Sequence, residues 1–182
     1  MSRVPSAIRV VAIYAVAILF FLGVIPFLLL SLGLLLDSVL GLPAIALGPL
    51  RSIVGAGLLV TGLGGIAWTN VTLLHLGRGH PQEVFGRRLL PSTERLVVEG
   101  PFRRTRNPMV LGGLLMVEGL SILVGSPSSA LLTVPGAAGV MIQYLRRWEE
   151  PALVVRFGAD YESYRRRVPI LVPWRKKPER DA

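Results

Sequence analysis

Residues 10–36 read VVAIYAVAILFFLGVIPFLLLSLGLLL, 27 positions without a formal charge. About 20 apolar residues carry a helix across the hydrocarbon of a bilayer. This run is long enough to span, and it is too long, with no clear small-residue cleavage site, to be a removed signal peptide. A second charge-free run, residues 52–77, is 26 long. From Asn107 to Leu145 only Glu118 is charged in 39 residues, and GSPSS at 125–129 breaks that run with turn residues, giving two short spans joined as a hairpin. Residues 38–50, with Gly41, Pro43, Gly48 and Pro49, make the first outer connection. The sequence thus predicts an all-α integral-membrane bundle of about four transmembrane helices with a cytosolic C-terminal helix. One domain covers 1–182: two spans in 1–77, then a loop, the hairpin and the last helix over 78–173.

Composition agrees with this reading. The 182 residues are 52% hydrophobic, with mean hydropathy +0.58 and a formal charge of +9. Cations clustered beside apolar runs point to a membrane, not to nucleic acid. With the N-terminus in the cytoplasm, residues 78–106 and the tail lie on the same side, and 19 of the 20 Lys and Arg lie inside, Arg51 alone outside. That is a strong positive-inside signal. It predicts a multi-pass protein of a bacterial inner membrane with both termini cytoplasmic. There is no cysteine, which excludes disulfides, thiolate metal sites and a cysteine nucleophile. His75 and His80 are the two histidines, and without a third ligand near them no metal site is expected.

Chemistry concentrates in the C-terminal half. EGPFRRTRNPMVLGG, residues 99–113, sets three arginines between prolines just before an apolar run. They are a topology signal, an anion-binding cradle, or both. The glycines of GAGLLVTGLGGIAW, beginning at Gly55, are small residues that let helices approach closely in lipid. Glu118 is a carboxylate inside a span, where such groups face a partner or a cavity. In the tail, Phe157, Tyr161, Tyr164 and Val168 fall at i, i+4, i+7 and i+11, one stripe of a helix. With Arg165, Arg166 and Arg167 beside it, the stripe suggests an interfacial helix packing under the bundle. Glu149 and Glu150 stand side by side in an arginine-rich region, as a solvated pair or as ligands.

ERLVVEGPFRRTRNPMVLGG at 94–113 and EEPALVVRFGADYESYRRRVP at 149–169 together resemble the isoprenylcysteine carboxyl methyltransferase family and its phospholipid N-methyltransferase relatives. The resemblance covers roughly residues 75–173. It implies S-adenosylmethionine as methyl donor and a lipophilic or lipidated acceptor drawn from membrane lipid. It does not implicate nucleic acid or metal. The donor-binding positions it implies are Glu94, Arg95, Leu96 and Val97, then Phe102 and Arg106, then Asn107, Pro108, Met109, Val110 and Gly112, and finally Glu149 with Glu150. On the acceptor side Arg146 stands beside Leu145, the place of a usual arginine, and Glu118, read from its own position inside a span, is a candidate to assist an amine acceptor; no catalytic base is assigned. Glu94 and Asn107 stand where histidines are usual, Phe102 and Val110 where tyrosines are usual, and Leu145 where an arginine is usual. These departures bear on the acceptor, not the donor. The expected activity is that of an isoprenylcysteine carboxyl O-methyltransferase-like enzyme. Alternatives are a phospholipid or lipid-amine N-methyltransferase, or a non-catalytic membrane scaffold with the same fold.

Overall fold

The computed structural model describes residues 12, 15–76, 83–84, 87–88 and 95–173. Helix α1 runs Ala15–Leu40 and α2 Pro49–Leu76; α3 is Pro108–Val124, α4 Val134–Tyr144 and α5 Glu150–Arg167. The π-turn at Leu145–Glu149 joins α4 directly to α5, and Gly158 breaks the helical backbone within α5. Apart from a two-residue antiparallel ladder, Glu83–Val84 against Arg87–Arg88, every regular element among the described residues is helical. Among the described residues two helices, α1 and α2, are long and apolar enough to cross a membrane; α3 is apolar and shorter.

Proline placement explains much of the helix anatomy. Wide π-turns occur at Leu19–Val24, Ser129–Thr133 and Leu145–Glu149. Each ends two residues before a proline: Pro26, Pro135 and Pro151. A proline inside a helix lacks the N–H and crowds the carbonyl four residues back. Widening the turn to five-residue bonding relieves the crowding. The preceding residues show it: the N–H groups of Ile25, Val134 and Glu150 donate to Phe20 O, Ser129 O and Leu145 O. Elsewhere prolines start helices, Pro49 for α2 and Pro108 for α3, where the missing N–H costs nothing. Helix α5 stops at Arg167 because Val168 precedes Pro169 and is extended, with φ −112° and ψ 131°, as a residue before proline prefers.

The chain gathers into two compact units, Met1–Leu63 with Gly113–Ala138 and Gly64–Gly112 with Gly139–Ala182. In the first, α2 and α3 meet through glycine: a β-carbon on Gly119 would lie 2.6 Å from the Gly55 carbonyl oxygen. This bears on the small-residue run, which here serves helix contact. Met116, Val117 and Val134 form the apolar centre with Leu22, Leu29 and Leu59. The expected turn at GSPSS is present and closes on α1. Asp37 accepts hydrogen bonds from Ser126 Oγ and from the Ser128 N–H, the latter at 2.8 Å. The carboxylate thereby satisfies an orphan donor at the start of the following helix. Glu118 lies half-buried in this unit, on α3.

Candidate active site

The second unit contains both motif blocks, and backbone chemistry binds them together. A short 3₁₀ turn, Gly100–Arg103, leads into the arginine loop. The Tyr164 hydroxyl donates to Phe102 O at 2.8 Å. The Arg106 N–H donates to Pro169 O at 2.9 Å. Ile170 O accepts from Asn107 Nδ2 at 2.9 Å and from Thr105 Oγ1 at 3.3 Å. Loop carbonyls and amides that no helix satisfies thus find partners on α5 and the segment after it. The VP of 168–169 ends the helix and supplies an acceptor for the loop.

At the centre is a buried ion pair. Arg106 Nη1 donates to Glu150 Oε1, and both side chains are only 9% exposed. Arg165 Nη1 stands 3.9 Å from the other Glu150 oxygen. Arg103 and Arg104, by contrast, are exposed. The loop therefore divides its cations: one is committed inward, and two are exposed. Arg106 Nε has no hydrogen-bond partner among the described residues.

Beside this pair lies a cavity of about 240 Å³. Arg95, Leu96, Val97 and Phe102 line it from the loop. Arg106, Asn107 and Pro108, then Met109 and Val110, line it at the start of α3, and Glu149 does so from the π-turn. Gly112, Glu150, Arg146 and Glu118 are not on its wall. Gly112 instead faces α2, its Cα 3.8 Å from where a β-carbon on Gly65 would lie. Glu150 stands behind the wall, holding Arg106. Arg146 is exposed on the π-turn. Glu94 and His80 lie outside the described residues.

Sequence reasoning missed several wall residues. Leu153, Arg156 and Phe157 line the cavity with Glu149, at i, i+4, i+7 and i+8 along one helix face. That spacing was available as a signal once Glu149 was singled out. Thr69 and Leu73 of α2 join them, and nothing in their sequence context marks them. The Arg156 guanidinium lies 4.8 Å from the Phe157 ring centroid, within cation–π range.

The tail stripe turns out to face inward. Tyr161 and Tyr164, 3% and 4% exposed, pack with Val168 against Leu96 and Phe102 of the loop. Both tyrosines also line the cavity. Gly158 adopts φ 55° and ψ −133° in mid-helix, on the exposed side. Burial pushes both phenols above the usual tyrosine range; Glu150 adds to this for Tyr161, while the Arg106 guanidinium opposes it.

The model of the family described as "Phospholipid methyltransferase" matches residues 50–160, well over half of the chain. The chain belongs to the phospholipid methyltransferase family. The match begins with α2 and ends within α5, so it takes in every described wall residue except Tyr161 and Tyr164. A Methanethiol S-methyltransferase 2 of Bradyrhizobium diazoefficiens is 33% identical over 72 residues, which is 40% of this chain and 26% of that protein. The chain therefore spans about a quarter of that relative's length. No solved structure matches. As a member of the phospholipid methyltransferase family, the chain is placed among membrane methyltransferases. Among the described residues there is no group of three or more His, Cys, Asp or Glu able to hold a metal ion.

Proposed function

We propose that this chain is an integral-membrane methyltransferase that takes its methyl group from S-adenosylmethionine and delivers it to a lipophilic acceptor, in the manner of an isoprenylcysteine carboxyl O-methyltransferase. The observation that carries this reading is that the two motif blocks converge on one lining, that of the cavity described above. Its donor set suits such a molecule. Its lining brings Glu149 and arginines together with Leu96, Val97, Phe102 and Met109. A zwitterionic amino-acid end needs an acid and a cation, and an adenosyl group needs apolar cover.

Each residue then has a task. Glu149 would accept a charge-assisted hydrogen bond from the ammonium. Arg106 and the amides of the proline-interrupted loop would receive the carboxylate. The apolar wall would exclude water from the reacting atoms. When bound, the donor supplies an electrophilic methyl carbon on a sulfonium. Holding an acceptor in line with that carbon, at about 3 to 3.5 Å, is where most of the acceleration would arise. The family's name favours a second reading, a phospholipid headgroup as acceptor.

The test is transfer itself. Purified protein is incubated with radiolabelled S-adenosylmethionine and a lipid extract of the native membrane, and the lipid-soluble product is identified. A labelled carboxyl ester supports the first reading, and a labelled headgroup amine the second. A protein that neither binds the donor nor labels any lipid is a scaffold, and both readings fall.

A further inference from the structure

Helix α4 does not stop at the first charges that follow it. The π-turn Leu145–Glu149 carries it into α5, and helical geometry holds until Gly158, at φ 55° and ψ −133°. One side of this stretch belongs to the cavity, which Glu149, Leu153, Arg156 and Phe157 line. The other side is apolar and exposed. Val140, Tyr144, Trp148, Ala152 and Val155 recur at intervals of four, four, four and three, the spacing of one helix face. Val140 is 72% exposed, Trp148 53% and Val155 88%. Ala152 is exposed as well, and the half-buried Tyr144 sets its ring 5.6 Å from that of Trp148. Arg146 and Arg147 are exposed beside this ridge. Beyond Gly158 the exposed positions become mainly charged, with Asp160, Glu162 and the three arginines 165–167.

We propose that the outer face of this stretch, from Trp148 to Val155, is seated in the headgroup layer of an anionic bilayer leaflet, with Arg146 and Arg147 on lipid phosphates. The ridge continues α4, and α4 closes a run of 27 residues, 119–145, without a formal charge. A tryptophan at the end of such a run marks headgroup level. An apolar strip rimmed by cations is the pattern of a helix lying in an interface. Arginine suits the rim, because its stem covers apolar surface while its fork reaches a phosphate. On charge alone the apolar region ends at Leu145; the exposed ridge carries its boundary on to Gly158. The stripe of Phe157, Tyr161 and Tyr164 cannot take this role, since Tyr161 and Tyr164 are buried against the loop. A helix with its side chains is about 10 Å across, so the wall residues on the opposite side stand close to headgroup depth. For the methyl-transfer reading, that sets the reacting group of the acceptor at the level of lipid headgroups. The seat itself does not depend on that reading.

The chain has no cysteine, so single nitroxide labels can be placed through Val155→Cys and, for comparison, Asp160→Cys. Both positions are exposed, and neither lines the cavity. In vesicles of phosphatidylcholine with phosphatidylglycerol, collision with oxygen and with a water-soluble nickel chelate reports the depth of each label. The label at 155 is expected about 5–10 Å into the boundary between headgroups and acyl chains, and the label at 160 in water. In phosphatidylcholine alone, or after Arg146→Gln with Arg147→Gln, nickel should reach the 155 label about fivefold more often or better. That is the factor of roughly 1 kcal/mol carried by one cation near an anionic surface. A 155 label open to nickel in both kinds of vesicle places the ridge in water and overturns the proposal. A label closed to both reagents, with dipolar broadening between labels, overturns it too, because a second copy then covers the ridge. Equal depth with and without phosphatidylglycerol overturns the anionic seat. Calorimetry of S-adenosylhomocysteine into the labelled protein separates the two ideas: a seated label without donor binding supports the seat and removes only the methyl-transfer reading.

Discussion

Breaking the Arg106–Glu150 pair should destabilise the protein far more than removing any other arginine of the loop. Both side chains are 9% exposed, so substituting one leaves the other as a buried charge with no equal compensation. Removing one partner of a buried pair costs about 3–5 kcal/mol. For a chain of this size 1 kcal/mol moves the unfolding midpoint by about 2–4 °C; Arg106→Gln or Glu150→Gln should therefore lower it by on the order of 10 °C. Arg165, 3.9 Å from the second Glu150 oxygen and half-exposed, tempers the loss for Arg106→Gln. Arg103→Gln and Arg104→Gln remove exposed charges and should change stability by no more than about 0.5 kcal/mol. The double change Arg106→Met with Glu150→Leu should recover most of the loss, because a packed apolar pair commonly equals or exceeds a buried ion pair in stability. Thermal unfolding in detergent, followed by intrinsic fluorescence, compares the five variants with wild type. If Arg106→Gln melts with Arg103→Gln, the pair is not the buried anchor described above, and the account of the loop fails with it.

Other outcomes follow from the same structure. Gly158→Ala has room for its β-carbon, since nothing lies within 4 Å, yet φ of +55° disfavours any side chain; a loss of about 1–3 kcal/mol in unfolding stability is expected, and an unchanged midpoint would show that the kink relaxes without consequence. Tyr161 and Tyr164 have phenols raised above their ordinary value by burial. The stability they contribute is complete below about pH 10 and lost as the pH climbs through the higher folded values. Alkaline unfolding should accordingly be blunted in Tyr164→Phe, and an identical alkaline limb in both proteins would refute this. For topology, a cysteine at exposed Ser38 should react in intact cells with an impermeant thiol reagent, and one at exposed Asp160 should not; labelling of the Asp160 position would overturn the cytoplasmic assignment of α5.

The parts of this structure that were legible in the sequence are those fixed by local chemistry. Charge-free runs gave α1 and α2, and GSPSS gave the turn after α3, because length and turn residues act over a few neighbours. The two motif blocks named both Arg106 and Glu150, but nothing local in either says that the two side chains meet. The π-turns are equally local in origin, each ending two residues ahead of a proline, but a proline in an apolar run does not by itself specify that the turn before it widens. Other features depend on long-range partners. The Phe157–Tyr161–Tyr164 stripe was correct as a helix face, yet its partner, Leu96 and Phe102, sits some 60 residues earlier; a stripe does not say what covers it. Gly112 reads as part of a motif and is found opposite Gly65, a contact that only the pairing of α2 with α3 creates. Ser128, which a turn reading puts in solvent, is 1% exposed because Asp37 reaches over to its N–H.

The central claim is that this cavity holds the methyl donor with Glu149 on its ammonium, and titration calorimetry of S-adenosylhomocysteine into purified wild type and Glu149→Gln tests it most directly. Glu149 is exposed at the cavity mouth, so its amide should leave the unfolding midpoint nearly unmoved while the affinity falls about 10- to 150-fold, the range for a hydrogen bond to a charged group. Equal affinity in the two proteins, or none in either, would contradict the account.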